Sequence, residues 1–159
     1  MGKPSESRRG AVRGLVAGAL LCGGGRLFAG PRVAPVMLYA DDALAGYGFP
    51  QGHPLGADRQ GAFLGEAAAQ GLIGKLPLRS SRPAEREEIE RFHTGRHVDK
   101  VKRAESIGLA FLDNGDTPVF PGVYPASAAV VGAALDGLER VMQGECRRTF
   151  QPIGGLHHA

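Results

Sequence analysis

Apolar residues fall along this chain in short blocks separated by glycine, proline and charged stretches, and the blocks alternate between two periods. Met37-Leu38-Tyr39-Ala40 is a continuous apolar run of strand length, and a run this short bounded by turn residues predicts a buried strand. A loop follows over 41–54, punctuated by Gly46, Gly48, Pro50, Gly52 and Pro54. From about 58 to 70, Phe63 and Ala67 recur at helical spacing, and Gly71 suits the position after a helix end. Residues 74–83 read as a linker with Pro77 and Pro83. Ser81 and Pro83 then announce a helix, with Glu85, Glu87 and Glu88 complementing the positive end of its dipole and Ile89 and Phe92 as its apolar edge. A second short helix is predicted over 96–107, with Val98, Val101 and Ile107 as burial candidates and Gly108 ending it. After a long loop over 108–122 comes the clearest helix, 125–143. Pro125 sits near its first position, Gly144 lies just past its end, and Ala129, Val130, Ala133, Leu138 and Val141 form its apolar face. Small residues dominate that face, which calls for close packing against a sheet. Arg148 to Ile153 reads as a strand. The alternation of strand and helix predicts an α/β layered fold with a mainly parallel sheet.

At 159 residues the chain has the length of one domain, and its 43% hydrophobic content predicts a globular protein. The net charge of +3 is unevenly spread. Residues 1–36 hold six basic residues against one acid, and the remainder holds 13 basic against 15 acidic residues. The folded part is therefore slightly acidic overall, which argues against nucleic acid as a partner.

The division of charge also divides the chain. Residues 1–36 form a basic, Gly- and Ala-rich leader, expected to be disordered or not native, and Met37 is an alternative start. Its uncharged run between Arg13 and Arg26 is far shorter than the roughly 20 residues of a membrane span, so no membrane partner is expected. Gly23-Gly24-Gly25 lacks the Lys-Ser/Thr of a phosphate loop. Cys22 and Cys146 form neither a metal-type spacing nor a framework, and a reduced cytoplasmic setting follows as the simpler expectation.

The most informative chemistry stands at 154–158, where Gly154-Gly155 precede His157-His158. Adjacent side chains of a regular strand point to opposite faces, so two neighbouring imidazoles converge only where the backbone departs from it. Paired glycines permit that departure. The position, beyond the carboxyl end of a strand, is where α/β sheets carry their sites, and histidine is suited to taking and returning a proton near neutral pH. The bland alternative is a His-containing tail. His93 and His97 are also four apart, but no third ligand accompanies them and Gly95 weakens the helix between.

Five segments, in order, resemble one family. Ile153-Gly154-Gly155-Leu156-His157-His158-Ala159 is similar to the GG-x-HHA segment of histone deacetylases and acetoin-utilisation proteins. Gly52-His53-Pro54 with Arg59 resembles the family's GHP-x4-R motif, and Glu87-Glu88-Ile89 with Phe92-His93 its EEL-x-x-FH helix. Asp116-Thr117-Pro118-Val119-Phe120-Pro121-Gly122-Val123-Tyr124 is close to its DTP-x-FPG-x-Y loop, and the helix over 125–143 matches the element before the dyad.

The resemblance implies that 37–159 is the N-terminal part of a deacetylase domain with an arginase-like three-layer fold. It implies a zinc-dependent hydrolase acting on acetylated lysine or a small acetylated amine. His158 would be the general base and acid, His157 its electrostatic support, Arg59 part of an inner channel, and Asp116 and Tyr124 part of the channel rim. His53 would be structural. Pro125 departs from the acidic residue that relatives commonly carry there. The zinc ligands of the family come from an Asp-x-His motif and a further Asp beyond the dyad, which residues 1–159 do not include. The expectation is therefore a fragment that binds no zinc and is inactive alone. The alternatives are a non-catalytic interaction module, or one half of a split enzyme completed by a C-terminal half.

Overall fold

A computed structural model describes residues 34–50 and 52–155. The leader over 1–33, Cys22, the glycines at 23–25 and the dyad His157-His158 lie outside the described residues. The elements are β1 (Met37–Tyr39), α1 (Asp42–Ala45), α2 (Arg59–Ala69), β2 (Leu78–Arg79), α3 (Arg86–Ile89), α4 (Gly95–Arg103), α5 (Val123–Met142) and β3 (Thr149–Phe150).

The strands make one parallel sheet in the order β2-β1-β3, with Leu38 opposite both Leu78 and Phe150. The predicted parallel α/β layering is what forms. Pairing begins before the expected boundary at Met37, because Ala34 bridges Cys146 and exchanges backbone hydrogen bonds with Glu145 and Arg147. The central strand β1 is buried throughout and supplies Leu38 and Tyr39, both almost fully excluded from solvent. Each such side chain contributes about 1.5–3 kcal/mol through the water it sheds.

Helix α5 covers the sheet, and its contact face is made of its smallest residues. Ala126, Ala129, Gly132, Ala133 and Gly137 are buried, whereas Leu138, expected on that face, is 59% exposed. The backbone approach decides this. A Cβ on Gly132 would stand 1.9 Å from the Arg82 carbonyl oxygen, and one on Gly137 would meet Thr149 of β3 at 2.9 Å. Segment 82–84 thus lies directly on α5, fastened by a 2.8 Å hydrogen bond from the Ala84 N–H to the Ala128 carbonyl. The helix begins two residues earlier than predicted, after Gly122 in the left-handed region (φ 77°), so Pro125 is its third residue. Its missing N–H is still one that a helix leaves unpaired. Gly144 (φ 76°) stands just past the end, as predicted.

Four predicted stretches differ from what forms. The loop 41–54 contains α1, capped by Asp41, whose carboxylate accepts the Leu44 N–H at 2.9 Å. The linker 74–83 contains β2, held by Leu38 N–H donating to the Pro77 carbonyl at 2.9 Å. The helix expected near 83 is a single turn starting after Glu85, with a reciprocal capping box between Glu85 and Glu88. So short a turn cannot bury both ends of its edge, and Phe92 is 88% exposed. Helix α4 ends at Arg103, four residues before Ile107, which is exposed, while Val98 is buried as expected. No helix among the described residues is long and apolar enough to cross a membrane.

Two polar clusters fasten the sheet ends. Asp41 accepts from Leu44 and from the Ser81 backbone and hydroxyl, while its own carbonyl accepts from Gln60 Nε2 at 2.8 Å. One residue thereby joins β1, α2 and the end of β2. On α5, Asp136 accepts from the Tyr39 phenol and from Arg140 at 2.9 Å, and Arg140 also reaches Glu145 at 2.6 Å.

Candidate active site

The glycine pair that precedes the dyad leaves β3 at the carboxyl end of the sheet. Ile153 before it is buried in the core, and among the described residues an added Cβ on Gly154 would meet nothing within 4 Å. On Gly155 the Cβ position lies 3.7 Å from Tyr47 Oη. A phenol thus stands beside Gly155, two residues before the first of the two histidines.

Tyr47 is the residue that sequence reasoning missed. Its ring meets Phe49 and Phe120 edge-on at centroid distances of 5.9 and 5.4 Å, and Phe49 and Phe120 meet at 5.7 Å. Burial pushes its phenol above the ordinary range, and the Arg59 cation offsets part of that shift. Nothing in the pattern singled it out, because a lone aromatic in a glycine-rich loop has no periodicity to read.

Arg59, at the start of α2, clasps this loop. Its Nε donates to the Gly56 carbonyl at 3.1 Å and its guanidinium to the Tyr47 carbonyl at 3.3 Å. The clasp needs a tight loop, and Gly48 provides it: a Cβ there would stand 2.4 Å from the Ala57 backbone. His53 turns inward on the same loop. Its Nδ1 accepts the Leu55 N–H at 3.0 Å, and its ring lies 4.6 Å from that of Phe49. An accepting Nδ1 leaves the proton of the neutral ring on Nε2. Arg59, His53 and Gly155 are thus joined through Tyr47 and Phe49.

The two residues expected at the rim, Asp116 and Tyr124, are not part of the Tyr47 cluster. Asp116 is exposed on a turn organised by Asp113, whose carboxylate accepts the N–H groups of Gly115, Asp116 and Thr117 and the Thr117 hydroxyl. Those bonds hold the Asp113 carboxyl far below the usual range, the Thr117 hydroxyl contributing most. Tyr124 lines a cavity of about 150 Å³ between α3, α4 and α5, together with His93 and His97. Those two imidazoles stack at 4.8 Å, and Lys102 Nζ lies 5.6 Å from the Tyr124 ring centroid. Among the described residues no three His, Cys, Asp or Glu side chains gather where they could hold a metal ion.

A parallel sheet with helices laid on it, and a glycine pair leaving a strand's carboxyl end beside an arginine-held loop, define a partial α/β fold of the arginase–deacetylase type. Residues 53–159 match the histone deacetylase domain. The chain is 28% identical to histone deacetylase RPD3 of Saccharomyces cerevisiae over 132 residues, covering 78% of this chain and 30% of that protein. It is 36% identical to acetoin utilization protein AcuC of Bacillus subtilis over 87 residues, 48% of this chain and 22% of that one. The crystal structure of an HDAC homolog from Aquifex aeolicus matches with a TM-score of 0.65 at 28% identity, over 79% of this chain and 35% of that chain. A crystal structure of an HDAC homolog complexed with SAHA matches with a TM-score of 0.64, also at 28% identity and covering the same shares. The chain belongs to the histone deacetylase family. It spans less than a third of the length of these curated relatives.

Proposed function

We propose that residues 37–159 supply the acid–base share of a deacetylase site that hydrolyses the amide of an acetylated lysine or small acetylated amine. His158 takes a proton from the attacking water and returns it to the leaving amine, and His157 supports the developing charge. Arg59 borders the inner end of the site, and Asp116 and Tyr124 belong to its outer rim. The observation that carries this reading is that Gly154-Gly155 have left the sheet beyond the carboxyl end of β3, with Gly155 beside Tyr47, just upstream of two consecutive histidines.

Zinc, as family chemistry requires it, would polarise the acetyl carbonyl and acidify the attacking water. The described residues do not fit such an ion. By the family resemblance the zinc ligands belong to the Asp-x-His motif and the further Asp that follow the dyad, and residues 1–159 alone are expected to show no hydrolysis.

The test compares this chain with a chimera in which it is continued by the part of AcuC that follows the dyad. Both are assayed with zinc on an acetyl-lysine peptide. The chimera is expected to turn over, and His158→Ala to lower its rate about 10²–10⁴-fold, the usual contribution of a general base. A zinc-loaded chimera indifferent to His158→Ala contradicts the acid–base assignment. Hydrolysis by the purified chain alone contradicts the division of the site.

A non-catalytic reading draws on one feature. Leu78 of β2 and Phe150 of β3 are 59% and 47% exposed, and Phe150 pairs only partly with Phe63, ring centroids 5.3 Å apart. A partner covering these edge strands would use the same fold as an interaction module.

A further inference from the structure

Helix α4 presents a cationic stripe. Arg96, Lys100 and Arg103 stand four and three residues apart, which places them on one face about 6 and 4.5 Å apart along the axis. Together with Thr94, His97 and Ile107 they line a groove of about 400 Å³. None of the three has an ion-pair partner among the described residues. Asp99, the acid on this helix, is already paired with Arg86 at 2.7 Å. The cations are also partly positioned. Lys100 Nζ donates to the Leu112 carbonyl, and Arg103 Nε to the Asp99 carbonyl at 3.3 Å. Those bonds orient the two side chains without neutralising them.

We propose that this groove binds a small polyvalent oxyanion, a metabolite bearing two or three phosphate or carboxylate groups. Two guanidiniums flanking an ammonium match such groups, because each guanidinium fork can grip one oxyanion through two N–H donors. The groove volume is that of a small-molecule site. Three cations are too few for a nucleic-acid footprint, which draws on roughly 6–10 phosphate contacts. The His97 imidazole responds to the same surface: burial first, then the neighbouring His93 and Lys100, hold it below its ordinary range. This inference is independent of the deacetylase reading, since it concerns neither the dyad nor Tyr47.

Isothermal titration of the full chain with tripolyphosphate, citrate and orthophosphate tests it. At least one of the two polyvalent probes, tripolyphosphate or citrate, is expected to bind, and orthophosphate about tenfold more weakly or not at all, since each added charge-assisted contact is worth about a factor of ten. Binding of only one polyvalent probe supports the site and assigns its chemistry. The double substitution Arg96→Gln and Arg103→Gln should weaken binding at least about tenfold, and Arg147→Gln, exposed elsewhere, should leave it unchanged. A second readout needs no variant: the pH midpoint of the His97 C2-proton resonance should rise when the probe is bound. Three results would overturn the assignment: no binding of either polyvalent probe, equal binding by the double variant, or affinity for a single-stranded oligonucleotide alone.

Discussion

Gly132 is the most exposed point of the argument that small residues, not large ones, define the buried face of α5. Gly132→Ala adds one methyl group at a place where its carbon would sit 1.9 Å from the Arg82 carbonyl oxygen, 2.7 Å from the Ala84 nitrogen and 2.8 Å from the Pro83 carbonyl carbon. All three are backbone atoms, so no side chain can swing aside. Segment 82–84 must move outward by more than 1 Å to restore ordinary contact, which is a shift estimated from normal packing distances. That movement breaks the Ala84–Ala128 hydrogen bond. Overpacking of this kind costs about 1–3 kcal/mol, and the lost bond about 1 kcal/mol more. Alanine is intrinsically the better helix residue by about 1 kcal/mol. The balance is a net destabilisation of about 2 kcal/mol, read as a lower urea midpoint by circular dichroism. Gly65→Ala on α2 is the control, because its Cβ meets nothing within 4 Å. It should stabilise by about 0.5–1 kcal/mol through the same helix preference. If Gly132→Ala proves as stable as the parent or more so, the close approach of segment 82–84 to α5 does not exist in solution.

The remaining predictions concern the polar fastenings. Asp41→Ala should cost about 1 kcal/mol for the lost cap of α1 and about as much again for the Ser81 contacts, measured by the same denaturation. Tyr39, buried and bonded to the Asp136 carboxylate, has its phenol pushed up to about 12. The folded state thus keeps a proton that the unfolded chain releases near pH 10. The resulting stability is fully present below pH 10 and is lost as pH rises toward 12. A urea midpoint that falls over this window in the parent, and falls less in Tyr39→Phe, would bear this out. An identical pH profile in both proteins would contradict it. Gly48→Ala should open the 47–57 loop and release the Arg59 clasp, lowering resistance of that loop to limited proteolysis, because a Cβ at 2.4 Å from Ala57 cannot be accommodated.

The long elements were legible because their signals are local. The spacing over α2, the terminal Gly144 and the alternation of strand and helix each follow from a few neighbouring residues. The two-residue β2 was not legible. Leu78-Arg79 has no period to detect, and what makes it a strand is hydrogen bonding to β1, 40 residues earlier. Helix α1 was hidden by the surrounding glycines and prolines, although Asp41 with Leu44 three residues on is a readable cap. Leu138 was misassigned because periodicity ranks residues by hydrophobicity, whereas this interface selects for the absence of a side chain. For the candidate site, the motif residues were legible as a resemblance, but Tyr47 was not, since its place beside Gly155 depends on two segments more than 100 residues apart.

The carboxylate of Asp136 serves two masters, the phenol of β1 and the guanidinium one helical turn further along α5. Neither donor can be exchanged without leaving the acid half-satisfied in a partly buried place, and loss of the acid strands the phenol while leaving the guanidinium to Glu145 alone. These three positions should consequently drift together over evolutionary time: a lineage that abandons the tyrosine has reason to abandon the aspartate as well, and one that keeps it will be found to keep all three.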